Sequence, residues 1–182
     1  MTTNSHLQHA LRNASDRRGN SLLDLSNASP VLVALLRHTG CPFCVEALDD
    51  LKDAKAEITA SGVNIAVVMQ THDANAASAM LERFQLNDAH LILDPERRLY
   101  AALDVKKGNL WQLFGPHVLV RVFQVLAKGL KPAKKIGGAA SQLPGTVLIH
   151  KGEVLRSHVH RSQADRANYT SLCSLPAPST TT

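Results

Sequence analysis

The chain changes its hydrophobic period sharply near residue 40. Val31 to His38 reads VLVALLRH, a continuous apolar run of strand length, as expected for a strand covered on both faces. From Cys41 onward Val45, Leu48, Leu51 and Ile58 recur at helical spacing, with Glu46, Asp49, Asp50, Asp53 and Lys55 between them and Gly62 as a natural stop. The pattern predicts strand, tight turn and amphipathic helix. Val63 to Gln70, VNIAVVMQ, predicts a second buried strand. Asn75 to Phe84 predicts a short helix with Ala76, Met80, Leu81 and Phe84 on one side, and His90 to Leu93 a third strand ended by Asp94-Pro95. A further short helix is expected over Arg97 to Leu103. The alternation βαβαβ calls for a mainly parallel sheet with helices on both faces.

The pattern is less regular between Val105 and Gln142. HVLVRVFQVLAKGL, starting at His117, is apolar except for Arg121, Gln124 and Lys128, whose spacing gives one narrow polar stripe, so it reads as a helix pressed against the body. KKIGGAASQ, residues 134–142, reads as a loop. Thr146 to His150 and Glu153 to His160 form two strands across Lys151-Gly152, a hairpin turn signal. Ser162 with Asp165 three residues on resembles a capping box and predicts a C-terminal helix running toward Cys173. One domain over 21–173 is expected, with a flexible N-terminal extension over 1–20 and a disordered tail over 174–182. No internal repeat is found.

Composition narrows the function classes. The 182 residues carry a net charge of +5 and three cysteines, an odd count that provides no disulfide framework and points to a reducing, cytoplasmic setting. The first twenty residues have no apolar signal core, and VLVALL and HVLVRVFQVLA are too short or too interrupted to span a bilayer, so no membrane partner is expected. With four Phe, two Tyr and one Trp there is little for base stacking, and no nucleic-acid motif is present. The lysines between 128 and 135 read as a solvated basic face.

The two cysteines of CPFC, Cys41 and Cys44, lie at the junction of the first strand and its helix. A sulfur at a helix N-terminus faces unpaired N–H groups and the positive end of the helix dipole, both of which favour thiolate. Pro42 suits the first turn because its missing N–H has no intrahelical partner to lose. Cys44 lies one turn later on the same side, within reach of a mixed disulfide on Cys41, so the pair can cycle between dithiol and disulfide. Helix position favours Cys41 as the nucleophile, being less covered, with Cys44 a turn deeper. Two other readings compete: inert core cysteines, and a zinc site. The latter would need two more ligands, for which His158 and His160 are the close pair, and Pro42-Phe43 is a poor zinc knuckle.

The element order, CPFC and LPGTVLIHKGEVL resemble the thioredoxin superfamily. Within it, RHTGCPFCVEALDDL, LDPERRLYAALDV, LFGP, QLPGTVLI and HRSQADRANY are similar to the peroxiredoxin-like branch of the AhpC/TSA antioxidant family, over about Ser21 to Tyr169. The resemblance implies a thioredoxin-like α/β fold, a central mixed sheet flanked by helices, with a helical insert before the strand that follows a cis proline. Pro144 occupies that position, so a cis Leu143-Pro144 bond packed against the CxxC is expected. The implied activity is reduction of peroxides or protein disulfides, with a thiol reductant such as thioredoxin or glutathione as partner. Gly40 stands where thioredoxin has Trp, and Cys41 where typical peroxiredoxins have Thr, their peroxide-reactive cysteine falling at Cys44.

Cys41, Cys44 and Pro144 are thus the expected site, with no organic cofactor and no metal. A non-catalytic redox sensor or binding module on the same fold is the alternative. Arg37 and His38 end the strand that leads into the pair, and either could place positive charge near the thiolate. His158 and His160 read as solvated, and Cys173 as a bystander thiol that could otherwise resolve a disulfide in another subunit. The oligomeric state is left open by the pattern.

Overall fold

The computed structural model describes residues 2–108, 115–130, 141–162 and 164–174. A five-stranded sheet of order β3-β2-β1-β4-β5 organises them. The central strand β1 (Val31–Leu36) pairs in parallel with β2 (Asn64–Met69), which pairs in parallel with β3 (His90–Leu93). On the other side β4 (Gly145–His150) runs antiparallel to β1, and β5 (Glu153–Val159) antiparallel to β4.

The absence of alternation in β1 has a direct cause, since both of its faces are core. Leu32, Ala34 and Leu36 join Ile65, Val67 and Met69 on one face, under α3 (Pro42–Ala60), α4 (Ala74–Arg83), α6 (Pro116–Ala127) and α7 (Tyr169–Cys173). Val31, Val33 and Leu35 join Ala66 and Val68 on the other, under α1 (Thr2–Asn13), α2 (Leu22–Ala28) and α5 (Arg98–Ala102). Each fully buried leucine or valine of these layers contributes about 1.5–3 kcal/mol by leaving water. The result is a mixed sheet flanked by helices, the thioredoxin-like arrangement implied by the resemblance, with α6 inserted ahead of β4. The hairpin turn is as expected: Lys151 and Gly152 take φ of +51° and +71°, and a Cβ at Gly152 would sit 2.3 Å from the Gln8 side chain.

The structure differs from the sequence reading in four places. Residues 2–20, expected as a flexible extension, carry α1, whose Leu11 is fully buried. Gln8 donates to the Gly152 carbonyl at 3.3 Å, and Asp16 pairs with His90 at 2.7 Å. Helix α2 is capped by Ser21, whose hydroxyl accepts from the Asp24 N–H at 3.1 Å.

The helix expected from Ser162 starts only at Tyr169, capped by Asn168. The Asp165 carboxylate instead accepts from the N–H groups of Arg161 and Arg166, each at 2.9 Å, and holds a loop.

Helix α6 packs with Val118 and Val125 inward, but part of its polar stripe also turns toward the body. Arg121 and Lys128 reach the buried carboxylate of Glu46 on α3 at 2.7 and 2.8 Å, and it is Val120 and Phe123 that face outward.

The Leu143-Pro144 bond is trans, not cis. Gln142 bridges to Lys107, its side chain donates to the carbonyls of Val105 and Lys106 at 2.8 and 3.1 Å, and the Leu143 N–H donates to Lys106 at 3.3 Å. This pairing lays the chain extended into β4, so a trans bond suffices to reach Gly145. The expected loop over residues 134–140 and the tail from 175 lie outside the described residues. Among those described, no helix is long and apolar enough to cross a membrane.

Candidate functional site

Cys41 ends the loop that leaves β1 and is the N-cap of α3. Its backbone is extended (φ −91°, ψ 118°), its N–H donates to the His38 carbonyl at 3.1 Å, and its own carbonyl accepts from Cys44 and Val45 at 3.1 Å. Pro42 opens the helix, where no intrahelical partner is lost. Exposure does not separate the two sulfurs as expected: Cys41 is 3% and Cys44 2% exposed.

Electrostatics does separate them. The Cys44 thiol donates to the Cys41 sulfur, which, with the Arg37 guanidinium and the N–H groups of Cys44 and Phe43, outweighs burial and lowers the Cys41 pKa to about 7. The Arg37 Nη1 lies 3.9 Å from that sulfur. Cys44 moves the other way, pushed well above the usual thiol range by burial first, then by the hydrogen bond it donates to Cys41 and by that neighbour's charge, although the Arg37 N–H donates to its sulfur at 3.3 Å. The pair therefore offers one thiolate and one stored proton. Arg37 supplies the positive charge that the sequence left open between Arg37 and His38; the His38 carbonyl shapes the turn.

Pro144, though trans, lines a narrow pocket together with Cys41, Cys44, Phe43, His160 and Tyr169. The enclosed space is about 20 Å³, room for a molecule the size of water. Tyr100, not singled out from sequence, is fully buried beneath β1 and donates to the carbonyls of Leu36 and Val68, which fixes the strand end that carries Arg37. Its signal is a lone tyrosine inside an apolar short helix. Tyr169 donates to the Ala47 carbonyl at 3.3 Å and closes the pocket from α7.

His158 and His160 are not both solvated. His160 is 5% exposed and its pKa is lowered to about 4, chiefly by burial and then by His158, which keeps it neutral. Asp165 joins it on the pocket wall. Cys173, the last residue of α7, is buried in the core and does not line this pocket, and burial raises its pKa to about 11.

The AhpC/TSA antioxidant enzyme family description matches residues 50–162, a span that begins after Cys44 and includes Pro144, His158 and His160. No curated protein matches the chain. Among solved structures, the bacterioferritin comigratory protein of Xanthomonas campestris, described for alkyl peroxide reduction, is similar at 16% identity, with a TM-score of 0.56 and 82% of each chain covered. Reduced Prx3 of Vibrio vulnificus, in complex with hydrogen peroxide, is similar at 18% identity, with a TM-score of 0.55 and 81% of each chain covered. A Chlorobium tepidum protein described as a DsbE thiol:disulfide interchange protein is similar at 17% identity, with a TM-score of 0.51, covering 80% of this chain and 78% of its own. At these identities the likeness is one of fold.

Proposed function

The chain belongs to the AhpC/TSA antioxidant enzyme family, and on that premise we propose that it is a thiol-based oxidoreductase in which Cys41 is the nucleophile and Cys44 the resolving cysteine. The observation that carries this reading is the opposite displacement of the two thiols, Cys41 down to about 7 and Cys44 well upward. The thiolate, not the thiol, attacks, and a protonated neighbour is what a resolving partner should be.

With a peroxide, the Cys41 thiolate attacks the terminal hydroxyl oxygen, the O–O bond breaks, and the alkoxide or hydroxide leaves and takes a proton from solvent, giving a sulfenic acid on Cys41. Cys44 then loses its proton and attacks that sulfur, expelling water and closing the Cys41–Cys44 disulfide. An external thiol reductant such as thioredoxin or glutathione returns both electrons. With a protein disulfide, Cys41 forms the mixed disulfide that Cys44 resolves. The small free space at the sulfurs favours a small peroxide over a protein disulfide as first oxidant. No metal or organic cofactor is needed for these steps, and a reducing cytoplasm is the setting they suit.

The near-complete burial of both sulfurs supports a second reading, a redox sensor that is oxidised once and re-reduced slowly because a reductant cannot reach it. A coupled assay separates the two: continued NADPH consumption through a thioredoxin or glutathione relay, dependent on peroxide, is expected of the enzyme. Stoichiometric oxidation without turnover overturns the catalytic reading and leaves the sensor.

A further inference from the structure

Two residues of the pocket wall, His160 and Asp165, form with the neighbouring His158 a cluster that the thiol chemistry leaves without a task. His158 and His160 stand two residues apart at the end of β5, and Asp165 returns to them on the following loop. One ligand-capable atom of each lies within 4.8 Å of the other two. The His158 Nε2 is 3.4 Å from an Asp165 oxygen, and the two rings meet edge to face with centroids 4.9 Å apart. Asp165 is fixed in place by the N–H groups of Arg161 and Arg166.

The second observation is polar. The Nδ1 of His160 is shielded from solvent without a hydrogen-bond partner, and His160 as a whole is 5% exposed; the Nε2 of His158 is equally shielded and makes no hydrogen bond, its near polar neighbour being the Asp165 carboxylate at 3.4 Å. Buried side-chain nitrogens are as a rule hydrogen-bonded, so two on adjacent rings that make no hydrogen bond need an account. A cation shared with the carboxylate provides one, since it takes the imidazole lone pairs that no protein donor reaches.

We propose that His158, His160 and Asp165 hold a divalent transition-metal ion, of the borderline class represented by zinc, on the wall of the pocket that contains Cys41 and Cys44. Two imidazoles and one carboxylate suit zinc, cobalt(II) or nickel(II), whereas magnesium and calcium need an oxygen-rich shell that this cluster lacks. Three protein ligands leave a tetrahedral ion one open position, which water fills. The ion adds positive charge to the wall shared with the Cys41 thiolate. The site stands whether or not the cysteine pair turns over, and the sulfurs are not among its ligands.

The test uses the full-length chain carrying Cys41→Ser and Cys44→Ser together, so that the two thiols beside the cluster cannot bind the probe; Cys173, buried in the core, is retained. Calorimetric titration with Zn²⁺ should show one equivalent bound, and Co²⁺ should give visible ligand-field bands without a sulfur charge-transfer band. Adding His160→Ala or Asp165→Asn should abolish binding or weaken it at least tenfold while the circular dichroism spectrum is kept. His158→Gln, at a half-buried position, provides the same test in a variant that keeps a polar side chain. Absence of binding in the double cysteine variant, or binding that survives both histidine substitutions, overturns the proposal.

Discussion

Two helix ends in this protein each bury a cysteine. Cys41, the N-cap of α3, is 3% exposed; Cys173, the last residue of α7, is 1% exposed. Their thiols nevertheless diverge, Cys41 lowered to about 7 and Cys173 raised to about 11. Burial opposes the charge at both. At Cys173 it is the largest effect, eased by Arg156 and reinforced by Glu57. At Cys41 the Cys44 S–H, Arg37 and the first-turn N–H groups face the sulfur and outweigh it. The groups turned toward a thiol, and not its exposure, set its reactivity.

The largest break in this comparison is removal of the sulfur at the α3 end. Cys41→Ser should reduce exchange with a disulfide substrate to background, and Cys44→Ser should leave a mixed disulfide trapped on Cys41, both read by intact mass. Peroxide consumption by Cys41→Ser with a sulfenic acid on Cys44 would reverse the assignment. In the unaltered chain the pair should titrate as a reversible disulfide at roughly −270 to −180 mV against thioredoxin or glutathione buffers.

A smaller break removes the charge alone. Arg37→Met keeps the backbone N–H that bonds Cys44 but should raise the Cys41 pKa by about one unit, the effect of an opposite charge at this range. Thiolate grows as pH rises, so the loss should be about tenfold in reaction rate below pH 7 and should vanish at high pH. A pH profile of iodoacetamide labelling reads it.

The other helix end offers the control. Cys173→Ala should leave exchange rates unchanged and lower stability by about 1 kcal/mol through the lost packing of a buried sulfur, seen as a lower urea midpoint at constant slope.

Legibility in the sequence followed the apolar pattern. The strands β1 to β4 and the helix after CPFC were readable because each buries a continuous run or a helical stripe. The same local signal, serine followed by aspartate three residues on, occurs at Ser21 and at Ser162 with opposite outcomes. After Ser21 come Leu22, Leu23 and Leu25, which pack into the core, so a capped helix forms. After Ser162 no such apolar face follows before Tyr169, and Asp165 closes a loop instead. Helix α1 was missed because its burial rests on two leucines in a polar segment, Leu7 and Leu11. At the site, Cys41, Cys44 and Pro144 were legible as motif positions. The trans bond at Pro144, the anchoring by Tyr100 and the return of Asp165 to His158 were not, because each depends on contacts between segments distant in sequence or on a loop whose path the local pattern does not set.

The most direct measurement of the central claim is site-resolved alkylation of the reduced chain across pH, quantified by peptide mass spectrometry. Half-maximal labelling of Cys41 near pH 7, with Cys44 and Cys173 unlabelled until well above pH 9, is the expected result. Labelling of Cys44 ahead of Cys41, or a Cys41 midpoint at the ordinary thiol value, would contradict it.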